Sequence, residues 1–268
     1  MSSKPTSEPR AIGTFDDPAY AALAVTGADA YRHAEPFPHA VFDDFLDPAL
    51  ARALGEAFPA DIDWIERDNE QNRRRYQHDE TKLPGLLRDM LRELNARQFL
   101  LFLETLTGID NLFPDPYFIG GGAHVSERDD FLKVHADFNW HHKLQAHRRC
   151  NVLLYLTEDW EDEWGGETEL WSRDMAGPVA QVTPRFNRAL VFSTGEHSNH
   201  GQPRPNACPP GVLRKVLNLY YYTARRDDED VADPHFTLYK TEASPFAVAL
   251  GDDYRASAAR SAPERPGD

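Results

Sequence analysis

From Pro116 onward the chain is made of short runs of β-branched, aromatic or aliphatic residues separated by Gly, Pro and Asn. That texture restricts the fold more than any other feature. Strands are expected near Tyr117–Ile119, Leu132–Asp137, Cys150–Thr157, Glu167–Trp171, Ala180–Val182, Ala189–Ser193 and Lys215–Thr223. Many short strands with turn signals between them indicate an all-β sandwich or barrel. Gly165-Gly166 falls where a tight turn needs positive φ. No internal repeat is present.

The residues before Pro116 read differently. A first strand is expected in Pro36–Phe45, centred on Ala40-Val41-Phe42. Asp47 is placed to cap a helix that has Pro48 at its first position and Leu50, Ala53, Leu54 and Phe58 on one face. Leu83–Leu106 carries a second helical pattern through Leu87, Met90, Leu91, Leu94, Phe99, Leu103 and Leu106, with Gly108 as a natural stop. Asp61–Lys82 is polar and shows no assignable period. The expected organisation is a disordered N-terminus over 1–17, a single domain over 18–256 and a disordered tail over 257–268. Within that domain a helical part reaches to about 110 and a strand core spans about 111–225.

Composition bounds the function. With 268 residues, 41% of them hydrophobic, the chain can bury a sizeable core. No apolar run approaches the ~20 residues that span a bilayer. The polar start, Met1–Arg10, has no apolar signal core behind it, so a cytoplasmic protein with no membrane partner is expected. Cys150 and Cys208 are the only cysteines, too few for a disulfide framework or a four-cysteine zinc site. A net charge of −15 argues against nucleic acid as a ligand. The basic clusters Arg73-Arg74-Arg75 and Arg148-Arg149 read as solvated faces.

His135-Ala136-Asp137 lies inside one of the expected strands. Side chains two apart on a strand point to one face, so His135 and Asp137 aim at one point while Ala136 turns away. His200 follows the Ala189–Ser193 strand in a turn from which its imidazole can reach back. Two imidazoles and one carboxylate can occupy one face of a metal and leave the opposite face open, as in non-haem Fe(II) sites. An open position fits catalysis better than a closed structural zinc. His124, His141, His142, His147 and His197 read as loop or surface histidines. Further on, Arg214, Val216, Asn218 and Tyr220 share one strand face, and Lys215, Leu217, Leu219 and Tyr221 the other. Arg214 offers a fork suited to a carboxylate.

These residues resemble the 2-oxoglutarate/Fe(II) dioxygenase superfamily, in its prolyl-hydroxylase-like branch, over about 117–224. The resemblance rests on the H-x-D strand, on Asn151-Val152-Leu153-Leu154-Tyr155-Leu156 followed by Trp160 and Gly165-Gly166-Glu167, and on Pro184-Arg185-Phe186-Asn187-Arg188 before the strand that leads to His200. It implies a mainly β fold: a double-stranded β-helix of the jelly-roll, cupin-like kind, with N-terminal helices packed on one sheet. It implies Fe(II) on His135, Asp137 and His200, with O₂ and 2-oxoglutarate as co-substrates. The 2-oxoglutarate C5 carboxylate would meet Arg214 and Tyr155. By the same register Arg148 falls at a substrate-contacting position, and Asn139 and Trp140, in the loop after the H-x-D strand, are candidates to touch substrate. Val125 stands where many relatives have a second tyrosine, and Gln202–Leu213 lengthens the gap before Arg214. The implied activity is hydroxylation of an unactivated C–H bond of a small molecule, amino acid or peptidyl residue such as proline, with decarboxylation of 2-oxoglutarate to succinate. The alternatives are a non-enzymatic cupin-like binding protein, or a desaturase or halogenase on the same scaffold. A halogenase would carry a small residue where Asp137 stands.

Overall fold

A computed structural model of the chain describes residues 9–228, 231–241 and 244–248. Among these are four α-helices: α1 (Pro18–Arg32), α2 (Pro48–Glu56), α3 (Gly85–Leu94) and α4 (Arg97–Thr107). The strands are β1 (His39–Phe42), β2 (Ile65–Asp68), β3 (Asn72–Gln77), β4 (Phe113–Pro114), β5 (Gly122–Ser126), β6 (Phe131–Ala136), β7 (Trp140–His141), β8 (Ala146–Tyr155), β9 (Thr168–Trp171), β10 (Pro178–Val182), β11 (Arg188–Ser193), β12 (His200–Gln202), β13 (Arg214–Thr223), β14 (Leu238–Thr241) and β15 (Ser244–Val248). Their hydrogen-bonded order is β1-β11-β8-β13-β5-β3-β6-β12-β9-β10, and every pairing is antiparallel. The order doubles back on itself. Thr168 of β9 bonds Tyr155 of β8, and the ring of His200 on β12 lies 4.7 Å from that of Phe192 on β11. Two facing halves with helices outside make the jelly-roll expected from the sequence.

Alternation builds both faces of the first half. Val152, Leu154, Val191, Leu217, Leu219 and Tyr221 point outward into the main core, where Leu87, Leu91, Phe99 and Leu103 of α3 and α4 meet them. Tyr155, Leu190, Phe192 and Val216 point inward and form a smaller cluster. Close contact fixes the helix layer: Tyr221 donates its hydroxyl to Leu94 O, and Lys215 donates from Nζ to Gly55 O. A Cβ at Gly55 would lie 2.5 Å from Leu156 O, so only glycine lets α2 approach β8 this closely. Asp47 caps α2 as expected, accepting from Ala49 N and Leu50 N.

Four expectations need correction. Tyr117–Ile119 is a turn, because the Asp115 carboxylate accepts from both Tyr117 N and Ile119 N and Phe118 takes φ of 47°. Leu83–Leu106 is two helices, since the chain turns extended at Ala96 (ψ 160°) and Asn95 bonds Asp115 O. Asp61–Lys82 holds the β2–β3 hairpin, whose turn is fixed by Asn69 Oδ1 accepting from Gln71 N and Asn72 N. Residues 9–17, placed in a disordered N-terminus, are structured: Phe15 is buried in the main core and Gly13 N donates to Glu93. Residues 1–8 and the expected tail over 257–268 lie outside the described residues. No helix is long and apolar enough to cross a membrane, among the described residues.

Candidate metal centre and co-substrate pocket

β6 and β12 run antiparallel with His200 directly opposite His135. Asp137 follows two residues after His135 and turns to the same side. His135 Nε2 lies 3.5 Å from Asp137 Oδ1, and His200 Nε2 lies 3.4 Å from Asp137 Oδ2. Ligand-capable atoms of all three fall within 4.8 Å of one another, an arrangement that no other His, Cys, Asp or Glu set reaches among the described residues. Each imidazole is held from behind: His135 Nδ1 lies 2.8 Å from Lys133 O, and His200 Nδ1 lies 2.8 Å from Ser198 O. A carbonyl can only accept, so each Nδ1 carries the hydrogen and each Nε2 presents a lone pair. Two imidazoles and one carboxylate are the donor set of a non-haem Fe(II) facial triad. These residues fit that metal.

The triad opens into a cavity of about 330 Å³. Arg214 and Thr168 line the same cavity. Arg214 donates from Nε to Gly166 O (2.9 Å) and from Nη2 to Thr168 Oγ1 (3.2 Å), and Thr168 Oγ1 also shares a 2.8 Å hydrogen bond with Tyr155. The Tyr155 ring lies 5.1 Å from the guanidinium. Gly165 and Gly166 take φ of 71° and 79°, as the tight turn requires. A guanidinium buried beside a hydroxyl, with no ion pair to a carboxylate among the described residues, fits a carboxylate-bearing co-substrate.

Residues 121–222 match the profile of the 2OG-Fe(II) oxygenase superfamily. This stretch is a 2-oxoglutarate/Fe(II) oxygenase domain. Together with the cluster of His135, Asp137 and His200, this match supports a 2-oxoglutarate-dependent dioxygenase with Fe(II) as cofactor and 2-oxoglutarate and O₂ as co-substrates. No curated protein matches the chain by sequence. Among solved structures, it is similar to a Trichoplax adhaerens prolyl hydroxylase in complex with a hypoxia inducible factor peptide fragment, with a TM-score of 0.56 at 15% identity, over 78% of this chain and 93% of that one. It is also similar to a Pseudomonas putida prolyl-4-hydroxylase, with a TM-score of 0.53 at 19% identity, over 75% of this chain and 98% of that one. At these identities the likeness is one of fold.

Electrostatics in the oxygenase centre on Asp137. Its Oδ2 accepts from Asn151 Nδ2 at 2.8 Å and lies 2.9 Å from Arg148 Nη2. Burial on its own would raise the carboxyl pKa, but Arg148, then His200 and His135, outweigh it and hold Asp137 well below the usual range. Burial pulls His200 down to about 4, against the opposing pull of Asp137. Arg148 is fully buried between two rings, its guanidinium carbon 3.4 Å from the Tyr220 centroid and 4.5 Å from that of Phe138, and its Nε donates to Asn151.

Not every residue expected at the site reaches the cavity. His135, Asp137, His200, Arg214 and Arg148 line it; Tyr155, Asn139 and Trp140 do not. Tyr155 stands behind Thr168 and Arg214. Asn139 ties down the 232–235 segment, donating to Asp233 O and accepting from His235 N, while Trp140 packs edge-on against His147. Lys215 points to the helix layer, as strand alternation requires. His197 bonds Arg173 and lies off the cavity, and His142 and His147 also lie off it. Two histidines read as surface groups are buried. His141 is paired with Asp115 at 3.2 Å and accepts from Leu144 N. His124 faces the cavity, and burial, reinforced by Arg74, pushes its pKa well below the ordinary value. Val125, its neighbour, points outward into the core. Asn151, Thr168 and Arg74 were missed. Asn151 alone left a signal, as a lone amide in an otherwise apolar strand.

Proposed function

We propose that the oxygenase hydroxylates an unactivated C–H bond of a small molecule or peptidyl residue, with His135, Asp137 and His200 holding its Fe(II). The observation that carries this reading is the pair of Nε2 lone pairs, prepared by backbone carbonyls and facing Asp137, in one cavity with Arg214. Bound there, Fe(II) with 2-oxoglutarate and O₂ supplies an oxidant for a strong C–H bond while 2-oxoglutarate is decarboxylated to succinate. Arg214 and Thr168 take the C5 carboxylate of 2-oxoglutarate. Tyr155 acts one layer back, holding Thr168 through its hydroxyl and the guanidinium against its ring. Arg148 and Asn151 fix the Asp137 carboxylate so that it faces the imidazoles. Leu153, Val216, Phe138 and Tyr220 supply apolar wall that excludes water from the reaction. The peptide held by the Trichoplax protein supports a peptidyl substrate. Asp137 disfavours a halogenase, because it fills the coordination position that a halide would take. Residues 18–256, joined by the 9–17 segment that packs Phe15 into the same core, serve as one catalytic domain, and the free buried thiols Cys150 and Cys208 suit the cytosol.

Succinate formation from 2-oxoglutarate with added Fe(II) tests the reading. His135→Ala, Asp137→Ala and His200→Ala should each abolish it in folded protein, whereas His197→Ala should keep most of it. An inactive His197→Ala beside an active His200→Ala would move the second imidazole ligand. Arg214→Ala should raise the KM for 2-oxoglutarate about ten- to a hundredfold, the worth of a charge-assisted hydrogen bond of about 1.5–3 kcal/mol.

A further inference from the structure

The lining of the cavity is at odds with the charge of the chain. The protein carries a net charge of −15, yet Arg67, Arg73, Arg74, Arg148 and Arg214 all line the cavity, against the single carboxylate of Asp137 among the described residues. Arg148 is committed to Asp137, and Arg73 is exposed and bonds Asp68. Arg214 sits with Thr168 and Gly166. Arg67 and Arg74 are left.

These two are register partners across the β2–β3 hairpin. Like charges directly opposite on neighbouring strands destabilise the pair. Alternation along β3 puts Asn72, Arg74 and Tyr76 toward the cavity, while Arg75 turns to Glu127 at 3.1 Å. Both guanidinium groups gather at the Tyr76 ring, 5.8 Å from its centroid for Arg67 and 6.0 Å for Arg74, and Arg67 also donates to the Tyr76 hydroxyl. Neither makes an ion pair among the described residues, and Arg74 Nε is buried with no hydrogen-bond partner. A buried cationic donor without an acceptor is a costly arrangement unless something completes it. The position is close to the metal centre. Asn72, on the same face of β3, donates to the Tyr239 hydroxyl, and the Tyr239 ring lies 5.6 Å from that of His135.

We infer that the substrate carries an anionic group, a carboxylate or a phosphate, that seats between Arg74 and Arg67 at the mouth of the cavity. The inference rests on the proposed hydroxylase reading, which makes this cavity the substrate site. A guanidinium pair from two strands of one hairpin matches the several acceptor oxygens of such a group. The anion neutralises the like-charge pair and satisfies Arg74 Nε. The rest of the substrate then extends past Asn72 and Tyr239 toward the triad.

Calorimetric titration of the protein loaded with Zn(II) and saturated with 2-oxoglutarate tests this. The probes are sulfate, N-acetylaspartate and the neutral diamide of N-acetylaspartate. At least one anion should bind saturably, and the diamide should not; sulfate alone would point to phosphate chemistry and N-acetylaspartate alone to a carboxylate. Arg74→Gln should weaken that binding at least tenfold and leave the affinity for 2-oxoglutarate within threefold. Arg75→Gln, on the outward face, should bind the anion as the unaltered protein does. Should Arg74→Gln fail to fold, the exposed Arg67→Gln carries the same expectation. The proposal is overturned if neither anion binds, if the diamide binds equally, if the arginine variant binds unchanged, or if its loss falls on 2-oxoglutarate. A protein that binds the anion through Arg74 but forms no succinate would sink the hydroxylase reading instead.

Discussion

Arg148 shows how a residue's surroundings redefine its role. Its register in the sequence suggests a contact to substrate, yet its Nη2 lies 2.9 Å from the Asp137 carboxylate and the whole side chain is buried. Removing one partner of a buried ion pair typically costs about 3–5 kcal/mol. Removing a group that orients a metal ligand typically costs about 10–100-fold in metal affinity. Arg148→Ala is therefore expected to lower the melting temperature of the metal-free protein and to weaken Co(II) binding, read by absorbance. A variant that binds Co(II) normally and is impaired only in the KM for substrate would restore the substrate-contact role. His124 makes a second residue-level prediction. Its folded pKa is depressed by burial first and by Arg74 next, so the folded protein keeps it neutral where the unfolded chain would protonate it. Its contribution to stability is fully present above an ordinary histidine pKa of about 6.5 and is lost as pH falls below that value. Denaturant midpoints between pH 7.5 and 5 should drop less steeply in His124→Gln than in the unaltered protein. Equal slopes would mean that the imidazole is protonated alike in both states.

Among the elements, the turn at Gly165-Gly166 is the most constrained. Gly166 has φ of 79°, and a Cβ there would lie 2.9 Å from both Asn206 Oδ1 and Trp160 Cζ2 and 3.3 Å from Arg214 Cδ. Its carbonyl also accepts from Arg214 Nε. Gly166→Ala should cost about 1–3 kcal/mol in backbone strain and raise the KM for 2-oxoglutarate by displacing the arginine, whereas Gly177→Ala, with open space around it, should do neither. Kinetics and a urea melt of both variants would show it. The same turn was legible in the sequence because its chemistry is local. The facing of β13 was legible too, since Arg214, Val216, Asn218 and Tyr220 alternate cleanly. Other elements hid for physical reasons. Three successive arginines do not look like a strand, but β3 borders a polar cavity on one face and acidic partners on the other, so no apolar stripe is needed. The break between α3 and α4 left one trace: the apolar spacing jumps to five between Leu94 and Phe99, where three or four would continue a single helix. Tyr117–Ile119 had the residue types of a strand and lost to the Asp115 carboxylate, a side-chain competitor that propensity does not register.

At the scale of the molecule, helices and barrel share one core. Leu91 and Leu103 are fully buried against strand residues such as Val152 and Leu219. Leu91→Ala should cost about 2–5 kcal/mol. Because no separate core is left for the helices, the loss should appear in one transition, with helical circular dichroism and tryptophan fluorescence melting together. Two separated transitions would show that the helix layer unfolds independently of the barrel.

β6 carries His135 and leads directly into Asp137, and its edge away from β12 is covered in two pieces. β3 pairs with it at Phe131 and Leu132, and β14 takes over at His135 and Ala136. A protein truncated before Leu238 would keep every residue of the triad and lose the strand that finishes this wall. The strand that carries His135 would then present free backbone donors and acceptors, the kind of unpaired edge on which another chain can add itself. β14 thus guards the oxygenase against self-association as much as it shapes the cavity, and clipping it would be expected to produce aggregates before it produced a merely weaker enzyme.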